Sequence, residues 1–432
     1  MTYVLGTMPE NNDTTPRRDA APLAGLLRGL RRLFDRRPEK DASHVDMARA
    51  FAAPVGAPLR AAASPIAEGC TDCGACVGLC AFLRETGTPG NAARALLADG
   101  PEGGGTPPDP YACSLCGLCR TICPTGLAPD AMYLEMRRQA AARGALNLAP
   151  YRPLLTYERI GRSAPFRLQA IPAGGETVFF PGCALPGTRP GTTMALFRLL
   201  SGLRPGLGLV LDCCTKPSHD LGLQDSFEAS FLPLRERLLT AGVRRVLTAC
   251  PNCHKVFTRY GDGLEIRSVW TELAASDLDF STGDHSRDAV ATGARPNEIV
   301  VHDPCPMRDE PDIRDAVREL AARTGLPVTG KRGGPASVRC CGEGGAVGFV
   351  RPELARTWGA IHLDRAKGRT TVTFCAGCTA HLRRSGLDAV HLGDLLAAPG
   401  ASPDALPAPA APPRTYLNRL LLKRSMRRLV RS

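Results

Sequence analysis

The sequence predicts a multidomain α+β protein in which a helical, cysteine-rich segment precedes two copies of an α/β module. Three observations predict it. All eighteen cysteines of the 432-residue chain fall into four clusters. The first two are regular runs, Cys70-x2-Cys73-x2-Cys76-x3-Cys80 and Cys113-x2-Cys116-x2-Cys119-x3-Cys123, set among short helical patterns. The last two are five-cysteine sets, Cys183, Cys213, Cys214, Cys250, Cys253 and Cys305, Cys340, Cys341, Cys375, Cys378, whose equivalent members are offset by 122 to 127 residues.

Residues 1–60 show one clear pattern, from Pro22 to Arg37. There Leu23, Leu26, Leu27, Leu30, Leu33 and Phe34 share a face opposite arginines, the period of a basic amphipathic helix. Such a helix either lies on a membrane surface or caps the fold. Residues 61–150 hold the two regular runs, with helices expected over Ala92 to Ala98 and Ala131 to Arg143. Gly103-Gly104-Gly105 and Pro107-Pro108 lack the Lys-Ser/Thr of a phosphate loop and read as a plain loop.

From residue 176 the pattern changes. Thr177 to Phe180 lead into Cys183, Gly208 to Leu211 into Cys213, and Val246 to Thr248 into Cys250. In the second copy Glu298 to Val301 lead into Cys305 and Thr371 to Phe374 into Cys375. Helical patterns intervene at Thr192 to Leu200, Ser226 to Ala241, Ile313 to Thr324 and Pro352 to Lys367. Strand–helix alternation at this pitch predicts two modules, 176–290 and 291–396, with parallel sheets and ligands gathered beyond the carboxyl ends of the strands. Ala397 to Pro413 reads as an extended linker within 397–432. Arg414 to Ser432 reads as a basic tail, solvated or docking a partner, because its apolar residues scatter around the helical wheel.

Soft thiolates at these spacings select iron–sulfur clusters, and less often zinc. In a Cys-x2-Cys-x2-Cys run three thiolates grip one cubane and the fourth cysteine leaves for the other cluster. On that rule Cys70, Cys73, Cys76 and Cys123 bind one [4Fe–4S] cubane, and Cys113, Cys116, Cys119 and Cys80 bind a second. Pro124 follows Cys123 as in the pattern, whereas Ala81 takes the place of the first proline. Zinc held by two CxxC pairs leaves the repeated fourth cysteine unexplained.

The five-cysteine sets, with Pro181-Gly182-Cys183, Cys213-Cys214, Cys250-Pro251-Asn252-Cys253, Asp303-Pro304-Cys305, Cys340-Cys341-Gly342 and Cys375-Ala376-Gly377-Cys378, resemble the CCG domain. That domain is found in the heterodisulfide reductase catalytic subunit and in iron–sulfur subunits of glycolate oxidase and anaerobic glycerol-3-phosphate dehydrogenase. The resemblance implies a helical dicluster ferredoxin domain followed by two repeated α/β CCG modules, in the order of the fused reductase subunit of methanogens. It implies that each complete set holds a noncubane [4Fe–4S] cluster on its five cysteines. Catalysis is then expected at Cys305, Cys340, Cys341, Cys375 and Cys378. In the related reductase two such clusters face each other and split a disulfide, each taking one half. The first set departs from the pattern: Thr215 stands where glycine would allow φ > 0 or close backbone approach. Altered geometry, a cubane or zinc therefore remains open there, giving one or two noncubane clusters.

His219, His254 and His381 follow cysteine words closely, and His302 precedes Cys305 by three. Each can supply the proton a thiol product needs. The expected role is the other one, a hydrogen bond to backbone or cluster sulfur that tunes potential. Lys216 and Glu343 are weaker candidates of the same kind. Gly342-Glu343-Gly344-Gly345 reads as a close-approach loop rather than a nucleotide fingerprint. With no convincing flavin or nicotinamide motif, electrons are expected from a separate flavoprotein or ferredoxin donor.

The net charge of +12 divides into +3 over residues 1–60, +6 over 401–432 and +3 for the long middle. Basic ends on a near-neutral body suit an anionic partner or peripheral contact with a cytoplasmic membrane face. At 5% aromatic residues and without basic-aromatic interleaving, nucleic acid is not expected. No stretch is long and apolar enough to span a bilayer, and Met1 to Asp19 lack the apolar core of an export signal. Thiolates intended for metal belong in a reducing compartment, so a cytoplasmic protein is expected. Two functions fit. One is an oxidoreductase whose cubanes relay electrons to CCG clusters that reduce a disulfide or related sulfur compound. The other is a non-catalytic electron-transfer subunit linking a flavin dehydrogenase to a quinone or membrane partner. Completeness of both five-cysteine sets favours the first.

Overall fold

The computed structural model describes residues 43–98, 106–280, 298–330 and 332–429. The helix expected over 22–37 and the Gly103-Gly104-Gly105 stretch lie outside them.

Between residues 43 and 161 the described chain is mostly helical, with helices Ala57–Gly69, Ala81–Thr86, Pro89–Leu97, Pro129–Ala142 and Arg152–Gly161. Pro89 starts its helix at the first position, where a missing N–H costs nothing, and Thr88 caps it by accepting from the Asn91 amide at 3.3 Å. The helix thus begins three residues before the apolar pattern at Ala92. Leu59, Ala63 and Ile66 meet Ala92, Ala93 and Leu96 in one core, where Phe82 packs edge-on to Tyr133 at 5.1 Å. Burial of each large side chain there contributes about 2 kcal/mol.

Two sheets follow. The first comprises β1 Leu168–Ala170, β2 Thr177–Phe180, β3 Gly208–Leu211, β4 Arg245–Thr248 and β5 Glu265–Ser268, in the order β1-β3-β2-β4-β5. All its pairings are parallel except β1, an antiparallel edge on β3. The second comprises β6 Ile299–Val301, β7 Val328–Thr329, β8 Thr370–Thr373 and β9 Ala389–His391, in the parallel order β7-β6-β8-β9. Helices Pro190–Leu203, Gln224–Thr240, Pro251–Tyr260, Pro311–Arg323, Pro352–Ala366 and Ala376–Arg384 make the crossovers. The second sheet lacks an equivalent strand directly before its Cys-Cys pair. A loop with a tight turn at Pro335–Ser337 separates β7 from Cys340.

The two modules share one hydrophobic core. It runs from Phe179, Leu196 and Trp270 of the first to Ile299, Val317, Leu320 and Phe374 of the second. Trp270 meets Phe374 edge-on with ring centroids 6.1 Å apart. A buried ion pair crosses the same boundary: Arg189 Nε donates to Asp394 Oδ2 at 2.6 Å, and Thr192 Oγ1 donates to Asp394 Oδ1 at 2.5 Å.

The stretch after Pro413, expected as a solvated or partner-docking tail, is a helix, Arg414–Leu429, bound to its own chain. Leu422 and Met426 enter the shared core. On the same buried face Arg419 Nη2 donates to Gly161 O at 2.8 Å and Lys423 Nζ to Pro165 O at 2.9 Å. The docked face thus mixes apolar and cationic side chains while Leu417, Leu420 and Leu421 stay exposed on the other side, which explains its wheel. Among the described residues no helix is long and apolar enough to cross a membrane.

Candidate metal centres

The two regular runs share one backbone course. Asp72 and Leu115, each two residues after the first cysteine of its run, have φ of 51° and 53°. Gly74 and Gly117, four residues after it, both have φ of 73°. These left-handed steps curl each run so that successive thiols turn inward. Gly90 is required by close approach: a Cβ there would lie 2.9 Å from Cys70 Sγ. Asp72 anchors the first run, accepting from Arg94 Nη2 at 2.6 Å and facing Cys70 Sγ at 3.6 Å. Cys70, Cys73, Cys76 and Cys123 line one small cavity, together with Cys119. Cys80 lies within electrostatic reach of Cys113, Cys116 and Cys119, and burial pushes the Cys113 and Cys119 thiols up.

In the first module the cysteines stand beyond the carboxyl ends of β2, β3 and β4. Cys250 opens helix Pro251–Tyr260 and Cys253 occupies its first turn, buried. Cys214 and Cys253 sulfurs are 3.3 Å apart. Cys183 bonds Cys213, Cys213 bonds Cys214, and Cys253 bonds Cys250, so all five thiols form one continuous set. Hydrogen bonds from Cys213 and Cys253 bring the Cys214 thiol down to about 6, onto the thiolate side at neutral pH. Gly182, at φ 82°, lies where a Cβ would stand 3.0 Å from Cys253 Sγ.

The missing glycine of the first set does not change the backbone course. Thr215 adopts φ 55° and ψ 26°, the left-handed region, and Gly342 of the second set has φ 97°. Thr215 is fully buried and its Oγ1 finds no partner. The threonine is therefore held in place at a cost of about 1–3 kcal/mol.

In the second module the thiols fall into two bonded groups. Cys341 and Cys378 sulfurs are 3.2 Å apart, and Cys375 bonds Cys378. Cys340 bonds Cys305 and also Cys116 of the second run. That hydrogen bond from Cys340 brings the Cys116 thiol down to about 6. The helical segment and the second module therefore meet sulfur to sulfur.

A cavity of about 620 Å³ lies between the modules. Cys183, Cys213, Cys214, Cys250 and Cys253 line it from one side and Cys375 from the other, with Lys216, Glu343, Arg383 and Arg384 in its wall. Lys216 is paired with Asp220, whose carboxyl is held well below the usual range despite burial, by Lys216 and His219. Glu343 is open to the cavity, and its carboxylate fills the space that Gly377 leaves by having no side chain.

The histidines are mostly committed elsewhere. His219 bonds Asp220 at 2.9 Å and Tyr260 Oη at 3.0 Å; His254 Nδ1 pairs with Thr248 Oγ1 at 3.0 Å; His381 Nε2 donates to Ala355 O at 3.2 Å. His302 is different: buried, beside Cys341 and Cys378, with Nε2 unpartnered.

Arg137 belongs to no motif, yet it organises the site. Fully buried, it donates to Cys113 O at 2.5 Å, Asp220 O at 2.6 Å, Gly345 O at 2.9 Å and Pro110 O at 3.0 Å. It ties the second run to both modules. A signal for it exists in the residue pattern, since Arg137 lies on the face of Met132, Tyr133, Met136 and Ala140, where a charge needs a reason.

All eighteen cysteines are free of disulfides. Clustered thiols, sulfurs in contact and glycines at the closest approaches fit iron–sulfur centres, whose binding would deprotonate the thiols that burial holds protonated.

Comparison with known proteins agrees. Residues 66–127 match the 4Fe-4S dicluster domain, and residues 177–258 and 299–383 match the cysteine-rich domain CCG. One subunit of the fumarate reductase (CoM/CoB) of Methanothermobacter marburgensis is 26% identical over 359 residues, covering 76% of this chain and 70% of its own. One subunit of the dihydromethanophenazine:CoB–CoM heterodisulfide reductase of Methanosarcina mazei is 22% identical over 275 residues, covering 57% of this chain and 65% of its own.

Proposed function

We propose that this chain, an iron–sulfur electron-transfer protein that joins a 4Fe-4S dicluster domain to two cysteine-rich CCG domains and is related to heterodisulfide reductase subunits, is an oxidoreductase that reduces a disulfide or related sulfur compound. One observation carries the reading. All five thiols of the first set and Cys375 of the second open onto the same cavity, so a small sulfur compound there has both modules within reach.

Cys70, Cys73, Cys76 and Cys123 would hold one cubane, and Cys80, Cys113, Cys116 and Cys119 the other. Each five-cysteine set would hold a noncubane [4Fe–4S] cluster. When bound, these centres supply one-electron transfer and open iron that can capture sulfur. The side chains do the rest. The contact between Cys116 and Cys340 brings the helical segment against the second module and shortens the path for electrons arriving from a separate redox protein. The cavity wall carries Arg383 and Arg384 alongside the carboxylate of Glu343, so it offers both signs of charge to a bound sulfur compound. The shared apolar core packs behind the cavity, and Cys213, Cys214, Cys253 and Cys375 are buried beside it.

The test is anaerobic purification followed by electron paramagnetic resonance with candidate heterodisulfides. A new paramagnetic signal that depends on added thiol or disulfide is expected. Signals indifferent to both, responding only to a flavoprotein, would leave a pure electron-transfer protein.

A further inference from the structure

The two modules are built alike but differ at one position beside the metal-binding thiols. Three residues before the first cysteine of its set, the first module has Phe180 and the second has His302. Phe180 ends β2, is fully buried, and packs edge-on to Phe257 at 5.0 Å. His302 follows β6 and extends its ladder, its amide donating to Val372 O at 2.8 Å. The backbone course is shared; the side chains offer opposite chemistry, a hydrocarbon in one module and a ligating nitrogen in the other.

We propose that His302 is a protein ligand of the second module's metal centre, giving a ring nitrogen to iron beside Cys341 and Cys378. This rests on the reading that the second cysteine set holds iron. Three observations support it. A ring nitrogen of His302 and the sulfurs of Cys341 and Cys378 all lie within 4.8 Å of one another. His302 is only 5% exposed and its Nε2 has no hydrogen-bond partner, an arrangement that costs stability unless something binds it. The ring is also held in position. His362 meets it edge to face, with centroids 4.5 Å apart and planes at 88°, and His362 is itself tied through Nε2 to Cys340 O at 3.0 Å.

Neutral imidazole is a good ligand for iron, and the identity of the ligands is one determinant of an iron–sulfur centre's potential. The second centre then differs from the first in its ligands, because Phe180 offers the first no nitrogen. A single side chain makes the two centres beside the cavity unequal.

The experiment uses the full chain, anaerobically loaded, grown once with unlabelled and once with 15N-labelled histidine. Pulsed hyperfine spectroscopy of the second-module signal should show a strongly coupled nitrogen that changes with the label and vanishes in His302→Phe. His381→Phe, which removes a histidine committed to a backbone carbonyl, should leave it in place. Iron is counted on the same samples. About sixteen irons per chain with no strong nitrogen coupling in the wild-type protein overturns the role of His302 and leaves the reading of the cysteine sets standing. Both cubane signals intact with no signal that Cys340→Ser removes, at about twelve irons or fewer, overturns that reading and this inference together. The wild-type measurement decides the matter even if His302→Phe fails to fold.

Discussion

Arg137 Nη2 donates to the carbonyl oxygen of Cys113 at 2.5 Å, from a side chain with no exposed surface. A guanidinium is thus fixed directly behind the first cysteine of the second run. The same side chain reaches carbonyls of both cysteine-rich modules, so one residue joins the electron-relay segment to everything downstream.

Arg137→Met fills similar space but leaves four carbonyls without their donor. Charged hydrogen bonds of this kind contribute about 1.5–3 kcal/mol each, and not additively, so a loss of about 3 kcal/mol or more is expected in chemical denaturation. Loss of the positive charge should also lower the reduction potential of the cluster nearest Cys113, read by a redox titration. An unchanged potential would mean the arginine only fastens the segments together.

Thr215 and Gly342 make opposite predictions from the same backbone course. Thr215→Gly removes a strained conformation and an unsatisfied hydroxyl, and should raise stability by about 1 kcal/mol. Gly342→Ala places a Cβ 2.2 Å from Ala355 O at φ 97°, and should cost well over 1 kcal/mol and disturb the second cysteine set. Thermal unfolding of the two variants beside wild type checks both signs.

His391 is buried, and burial brings its pKa down to about 3, with Arg189 adding to the shift. The unfolded chain takes up the proton near 6.5, so in the interval between these values unfolding gains protons and stability falls as pH falls. Between pH 6.5 and pH 5 the loss through this residue amounts to about 2 kcal/mol. His391 also caps helix Leu392–Ala397, accepting from the Gly393 amide at 3.1 Å. Asparagine is a good cap without that titration. His391→Asn should therefore flatten the pH dependence of the unfolding midpoint over this range.

Cys340→Ser tests the division of labour among the thiols. The signals of both cubanes should persist while the second-module signal and turnover are lost. Loss of a cubane signal instead would show that Cys340, which bonds Cys116, serves the second run as well.

Much of this architecture is readable from residue order because cysteine words and short β-rich strings coincide. β2 and β3 span the residues their patterns mark, Thr177–Phe180 and Gly208–Leu211. Several helices begin earlier than their apolar periods suggest, although the one expected from Pro352 starts there. Pro190 and Pro311 take the first helical position, and a proline there carries no hydrophobic signal. What residue order does not reveal is long-range. The placement of Cys340 against Cys116 spans more than two hundred positions and depends on how the modules close. The left-handed turn at Thr215 contradicts local preference and is imposed by surrounding structure. The docking of Arg414–Leu429 is hidden because its buried face mixes apolar residues with cations that bond carbonyls.

Trp270 and Phe374 meet edge to face inside one apolar interior, although they belong to different halves of an internal repeat. Neither half can therefore be melted alone without stripping the other of its support. Calorimetry should record a single endotherm for both, and a chain nicked between the halves should elute as one particle.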